Sequence, residues 1–398
     1  MAIVLTFHGA ARQVTGSCFL LQSARCRFLV HRGMFQGLAA VERNAGPLAF
    51  DPRELDFVRL THAHVDHSGL LPRLAADGFT EQIYARAATA DLLAIMLPDS
   101  AYLQQMATER AARTPRPLEQ GPVRQPIYSL ADVATCLRQF VAVPYDAPFE
   151  PKHGVRCQLR DAGHVLGSAI VELWIGRKKP VFSGDLGQPG RPIVRDAGVI
   201  ECADVVVVES THGNRDHQSR DVMPDELVAV VNRTLDKKRG NVIVPSFAVR
   251  RTRELLYFFA VLSGAGRPRN LRIFVDSPMA TRVTEVTAKH FRIYGEEAQR
   301  HFRCVVIDGV SDAATTGQLA PAAVKPQPAP TSAGPGHPRH AEQHPRGNAQ
   351  PCLLTVGSPA STRDNPMRRN LVRLNRVSHD PEHPAVARNR NPDPGPSP

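Results

Sequence analysis

Three things are scarce in this chain. No apolar run approaches the ~20 residues that a membrane-spanning helix needs. The N-terminus, Met-Ala-Ile-Val-Leu-Thr-Phe-His, has no basic stretch followed by a long apolar one. A soluble, unexported, cytoplasmic protein without a membrane partner is therefore expected. There is also no Cys-x-x-Cys pair. The seven cysteines (Cys18, Cys26, Cys136, Cys157, Cys202, Cys304 and Cys352) are scattered and odd in number, which predicts reduced thiols rather than a disulfide scaffold. Aromatic residues are 6% of the total, so no aromatic-rich platform for stacking single-stranded bases is visible.

What is present suits a folded protein. The 398 residues are 42% hydrophobic and 22% charged, enough for a sizeable core and two domains. Lys and Arg outnumber Asp and Glu by 49 to 38, a formal charge of +11, which permits a polyanionic partner without proving one. Oligomeric state is not legible, and a homodimer stays admissible.

Hydropathy patterning predicts strands at Ile3–Phe7, Cys18–Leu21, Phe28–Val30, Phe57–Leu60, Ile170–Ile175, Val181–Phe182, Val205–Val208, Val242–Val244 and Ile273–Val275. Several are continuously apolar, as in strands covered on both faces. Helices are expected over Thr89–Tyr102 and Thr252–Leu262. Strands alternating with helices give an α/β protein. From about Ser311 the composition changes: 16 of the 34 prolines fall in the last 88 residues. Such a segment buries too little surface to offset its ordering entropy, so 311–398 is expected to be mostly disordered, with one turn of helix at Leu371–Leu374.

The strongest chemical signal is Thr61-His62-Ala63-His64-Val65-Asp66-His67-Ser68-Gly69. Four potential metal ligands follow directly on a buried strand. Two imidazoles two residues apart project from a loop onto one ion, and Asp66 with His67 can turn to a second. Nitrogen with carboxylate oxygen suits zinc, less often manganese or iron. Farther on, Asp161-Ala162-Gly163-His164-Val165-Leu166-Gly167 sets a histidine between two glycines, and Phe182-Ser183-Gly184-Asp185 sets a carboxylate at a strand end. Each alone is weak; their order after His-x-His-x-Asp-His makes them a set.

With these pieces the sequence resembles the metallo-β-lactamase superfamily, and more narrowly its β-CASP branch of RNA-cleaving enzymes. Other agreeing stretches are Gly9-Ala10-Ala11, Val14-Thr15-Gly16-Ser17, Phe35-Gln36-Gly37, Leu71-Pro72-Arg73-Leu74, Asp99-Ser100-Ala101, Glu209-Ser210-Thr211, Pro245 to Val249 with Arg251-Thr252, and Asp276 to Ala280. The resemblance covers about residues 1–310. It implies an α/β fold, the four-layer αβ/βα sandwich, over 1–208, with a β-CASP domain, here partial, over 209–310. It also implies two zinc ions: His62, His64 and His164 on one, Asp66 and His67 on the other, and Asp185 between them. Two cations ~3.5–4 Å apart share a hydroxide and offset charge at a phosphoryl centre, so phosphodiester hydrolysis with RNA as partner and substrate follows. Asp66 would also position the hydroxide, and Glu209 would orient groups in the cleft. Ser246 and Arg251 are the candidate substrate-binding residues, Arg251 as a phosphate contact because guanidinium suits oxyanions; a structural ion pair is the alternative for Arg251. His212 is expected not to be a ligand.

Three features depart from the branch. His31 stands where relatives carry an aspartate that orients the metal loop, and an imidazole cannot accept the same hydrogen bonds as a carboxylate. Arg86 and Arg250 stand where relatives carry smaller residues. After Asp276 neither the Ser-Ala-His nor the His-Gly motif of the branch appears; His337, His340, His344, His379 and His383 all lie in the Pro-rich segment. A loss of coding frame near Ser311 would account for the change. The expected function is a zinc-dependent β-CASP ribonuclease. The alternative is a catalytically impaired metal- or RNA-binding remnant; thioester or lactam hydrolysis is disfavoured by the Glu209 and Pro245–Arg251 segments.

Overall fold

The computed structural model describes residues 2–37, 39–113, 125–191, 193–214, 223–237, 241–264, 272–296, 298–299, 305–308, 351–357 and 371–374. The first sheet has six strands: β1 (Val4–Phe7), β2 (Phe19–Gln22), β3 (Arg27–Val30), β4 (Phe57–Arg59), β5 (Ile83–Ala85) and β6 (Phe140–Ala142). They lie side by side in chain order, antiparallel to β3 and parallel from β3 to β6. Helices α1 (Ala40–Ala45), α2 (Val65–Ser68), α3 (Leu71–Ala76), α4 (Ala87–Arg113) and α5 (Leu130–Arg138) interrupt them. The second sheet runs β7 (Phe149–Lys152), β8 (Val155–Asp161), β9 (Ala169–Ile175), β10 (Pro180–Phe182) and β11 (Val205–Val207), with only β10 and β11 parallel.

Strand alternation builds two cores from one sheet. Along β3, Phe28 and Val30 face one side with Phe19, Phe57, Leu159, Val171 and Phe182, filling the space between the two sheets. Leu29, between them, faces the other side with Leu20, Val58, Leu60 and residues of α3, α4 and α5. Period two along a strand forces this division. The outer face of the second sheet (Ala162, Ile170, Val181) is covered by Leu186, Ala197 and Ile200. Strand β9 is buried along almost its whole length, as its apolar run predicts. Strand β11, equally apolar, is an edge strand whose Val205 and Val206 remain exposed. Arg59, inside the predicted apolar run Phe57–Leu60, is wholly buried. Its guanidinium lies 5.2 Å from the centre of the Phe149 ring, and burial lowers its pKa to about 10.

Beyond the second sheet come α6 (Met223–Asn232), β12 (Val242–Phe247), α7 (Arg251–Gly264), β13 (Arg272–Asp276), α8 (Pro278–Lys289), β14 (Val305–Asp308), β15 (Pro351–Gly357) and β16 (Leu371–Leu374). Helix α8 starts where the sequence signals it: the Ser277 hydroxyl accepts from the Ala280 amide, and Pro278 sits at the first helical position. Tyr257, Val283 and Tyr294 enter the same core as Leu92 and Leu93 of α4, so residues on both sides of position 208 share one apolar cluster.

The third sheet, in the order β12-β15-β13-β16-β14, is antiparallel throughout. Two of its strands come from the segment expected to lack structure. The run Cys352-Leu353-Leu354-Thr355-Val356 has strand-forming residues that the average composition of the segment conceals. Leu371–Leu374 is a strand and not the expected turn of helix, because β13 and β14 both offer it backbone partners. The tail histidines His337, His340, His344, His379 and His383 lie outside the described residues.

Cys18, Cys26, Cys136 and Cys157 are buried free thiols, and Cys202 is exposed. Burial first of all pushes the Cys26, Cys136 and Cys157 thiols up to about 12. Thiolate is the reactive form. Maleimide labelling at pH 8 followed by peptide mass mapping is therefore expected to modify Cys202 and leave those three unmodified in the folded chain.

Candidate metal centre

The site is assembled where three connections leave the two facing sheets. After β4 the chain turns through His62 and His64 into α2, a single turn carrying Asp66 and His67. The Ser68 hydroxyl donates to the carbonyls of His64 (2.8 Å) and Ala63 (3.0 Å), which holds that turn closed. The β8–β9 connection carries His164. Its backbone doubles back at Gly163, with φ of +63°, and Gly187 presses against the Gly163 carbonyl so closely that a side chain at 187 would overlap it. Asp185 follows β10, and Glu209 follows β11.

Four donors converge. His62 Nε2 lies 3.1 Å from His64 Nδ1, and His164 Nε2 lies 3.3 Å from the same atom. Asp185 Oδ2 is 3.3 Å from His164 Nε2, 3.5 Å from His62 Nε2 and 3.9 Å from His64 Nδ1. Donors held ~2.0–2.1 Å from a tetrahedral zinc lie ~3.3 Å apart, so this spacing fits one such ion. Burial first, then neighbouring imidazoles, lowers His62 to about 4 and His164 to about 2. Neutral imidazole is the ligating form, so the burial that disfavours a proton leaves the donors available for a metal.

His67 belongs to the same constellation from the other side of Asp185. Its Nε2 is 3.1 Å from Asp185 Oδ1 and 3.7 Å from Asp66 Oδ2. Burial works against its protonation, but the carboxylates of Asp185, Asp66 and Glu209 together outweigh burial and raise its pKa. Asp185 itself is held far below the usual carboxylate range: burial pushes it up, and the surrounding imidazoles overcome that.

His31 is buried at a φ of +68° behind this cluster. Its Nδ1 lies 3.3 Å from His67 Nδ1 and its Nε2 lies 2.8 Å from the Thr61 hydroxyl. Thr61 Oγ1 is in turn 2.9 Å from His62 Nδ1. In the sequence Thr61 is no more than the start of the motif. The structure makes it the link between His31 and His62, and its adjacency to His62 after a buried strand is the signal that could have marked it.

Glu209 joins the site through the backbone. It accepts a hydrogen bond from the Leu186 amide at 3.1 Å, next to Asp185. With His31, His67, Ser183 and Asp185 it lines a cleft of about 380 Å³. Ser246 is buried, its hydroxyl 2.8 Å from that of Thr252. Arg251 is largely exposed and pairs with Glu254 at 3.0 Å, the ion pair named as its alternative. Arg86 donates to the Val143 carbonyl at 2.6 Å and lies over the Tyr145 ring.

Fold and donor set together describe a site able to hold a metal ion at the edge of two facing sheets. Residues 11–145 match the family described as Metallo-beta-lactamase superfamily, and the chain carries a domain of that superfamily. It is 36% identical over 294 residues to Ribonuclease TTHA0252 of Thermus thermophilus, a match covering 74% of this chain and 63% of that protein. It is 31% identical to Transcription termination factor FttA of Methanocaldococcus jannaschii, over 64% of this chain and 38% of that one. An RNase J-like protein of the same organism is 25% identical, over 70% of this chain and 59% of that one. The ribonuclease and the termination factor belong to the β-CASP branch. The chain spans less than two thirds of the length of each of these curated relatives.

Proposed function

We propose that this chain is a zinc-dependent hydrolase that cleaves RNA phosphodiester bonds. The observation that carries the reading is the meeting of His62, His64, His164 and Asp185 from three separate connections, with all their donor atoms within 4.8 Å of one another. These four would hold one ion; Asp66 and His67, with Asp185 shared, would hold a second. Bound there, Lewis-acidic cations lower the pKa of water and offset negative charge gathering on a phosphoryl group. The protein's own part is positional. Asp66, beside His67, accepts a proton from the attacking water and aims it. Glu209 fixes the Leu186 amide and with it the approach of Asp185. The positive balance of the chain attracts the phosphate backbone, so binding should weaken steeply with salt. The relatives named ribonuclease and termination factor support an RNA substrate.

The test is metal removal. Dialysis against a chelator is expected to abolish cleavage of a labelled RNA, and zinc is expected to restore it, with two zinc ions per chain by elemental analysis. Full activity after complete metal removal would overturn the reading.

A second reading, a metal- or RNA-binding protein of impaired turnover, is favoured by His31. A neutral imidazole beside His67 Nδ1 is a weaker partner than the carboxylate that the family resemblance implies at this position. An outer partner of a ligating histidine is worth ~10–100-fold in metal affinity or activity. His31→Asp is therefore expected to raise zinc affinity or RNA turnover by about that factor; a loss of both would show that His31 is the native partner of His67.

A further inference from the structure

Outside the metal centre, three arginines converge on one carboxylate. Arg191 Nη1 lies 3.1 Å from Glu254 Oε1, Arg250 Nε lies 3.3 Å from the same oxygen, and Arg251 Nη1 lies 3.0 Å from Oε2. Three guanidinium groups on one carboxylate leave two positive charges uncompensated there, among the described residues. Arg191 is mostly buried, and its Nε has no hydrogen-bond partner among the described residues. A buried donor without a partner is costly unless something else supplies an acceptor. The positive end of α7 begins at Arg251 and adds to the same field.

An apolar cavity adjoins the cluster. It measures about 380 Å³ and is lined by Pro245, Phe247, Leu255 and Phe258 together with Arg251 and Glu254. Phe247 is 62% exposed, an unusual setting for a phenyl ring.

Taking RNA cleavage as the function, on which the inference rests, we propose that Arg191, Arg250 and Arg251, gathered on Glu254 beside the Phe247 cavity, form a subsite for one backbone phosphate and the adjoining base of single-stranded RNA. Guanidinium groups grip phosphate oxygens in a fixed fork. An exposed ring offers a face to an unpaired base, which a duplex keeps stacked away. The phosphate held here is separate from the reacting one, so the subsite sets strand position and not chemistry.

The experiment is fluorescence anisotropy of a labelled ~12-nucleotide single-stranded RNA with the full chain in excess chelator, so that binding is read without cleavage. Titrations run from about 50 to 200 mM salt. The double variant R250Q/R251Q is expected to raise Kd about 10-fold and to flatten the slope of log affinity against log salt by ~0.7, because one fewer phosphate is neutralised. F247A is expected to raise Kd at least ~5-fold, the lower end of what removing one base–aromatic stack costs. K178Q, which removes charge from an exposed side chain that pairs with Asp204 and does not line the cavity, is expected to bind like the unaltered chain. Should R250Q/R251Q fail to fold by circular dichroism, R251Q alone, altering the most exposed of the three, must still weaken binding. Unchanged affinity and slope in the arginine variants and in F247A would overturn the subsite, as would equal binding of an RNA duplex. A chain that neither binds nor, with zinc, cleaves RNA would instead overturn the function on which the subsite rests.

Discussion

For the proposed zinc-dependent ribonuclease, replacing His164 with alanine is expected to remove tightly held zinc and to lower RNA turnover by more than ~100-fold, above the ~10–100-fold that loss of an outer hydrogen-bond partner costs. The expectation follows from how the four donors are arranged. His164 Nε2 closes one edge of the set against His64 Nδ1 and one against Asp185 Oδ2, each at 3.3 Å. Removing it leaves three donors. His164 is held from β8 and β9, whereas His62 and His64 come from the end of β4, so no neighbouring residue of the first loop can swing in to replace it. Elemental analysis and a gel-based RNA assay check the two halves separately. Retained zinc with retained turnover would show that His164 is not a ligand. The substitution itself is tolerable to the fold, because the backbone course of this loop is set by Gly163 and by hydrogen bonds from the His164 and Val165 amides to the Ser168 hydroxyl at 3.1 and 3.2 Å.

Phe57→Ala is expected to be the most damaging single change to stability. Phe57 is 1% exposed in the core between the two sheets and stacks on Phe28 with ring centroids 4.3 Å apart. Truncating a buried phenylalanine costs ~3–5 kcal/mol, through lost transfer energy and the cavity left behind. The stacked pair contributes a further ~0.5–1.5 kcal/mol. Set against a total stability of ~5–15 kcal/mol, that loss takes much of the margin. Urea titration followed by circular dichroism should show a midpoint well below that of the unaltered chain, and an unchanged midpoint would mean that the site collapses to fill the gap. Because β4 leads directly into His62 and His64, the same variant is also expected to bind zinc less tightly.

The residues of the centre and their order are written in the chain itself. His62, His64, Asp66 and His67 were legible as a candidate set because side chains of one loop that meet at one place must be close in sequence, and a buried strand ending at Arg59 delivers them to a sheet edge. His164 and Asp185 were legible only in combination, since an isolated histidine or a strand-end carboxylate has many ordinary uses. The strands β2, β3, β4, β9, β10, β12 and β13 were legible from local apolar runs, as were the central turns of α4 and α7. Charge balance pointed to a polyanion but not to a place on the surface.

The rest came from packing. Burial of Arg59, exposure of β11 and the strand at Leu371–Leu374 depend on which neighbour lies alongside, and local composition does not carry that information. The contacts of His31 with Thr61 and His67 join residues thirty or more positions apart. So does the meeting of Arg191 with Glu254 across sixty-three. Side-chain identity sets what a group can bind, but hydrogen bonds and ion pairs act over a few ångströms, and only the assembled sheets and helices fix which groups come that close.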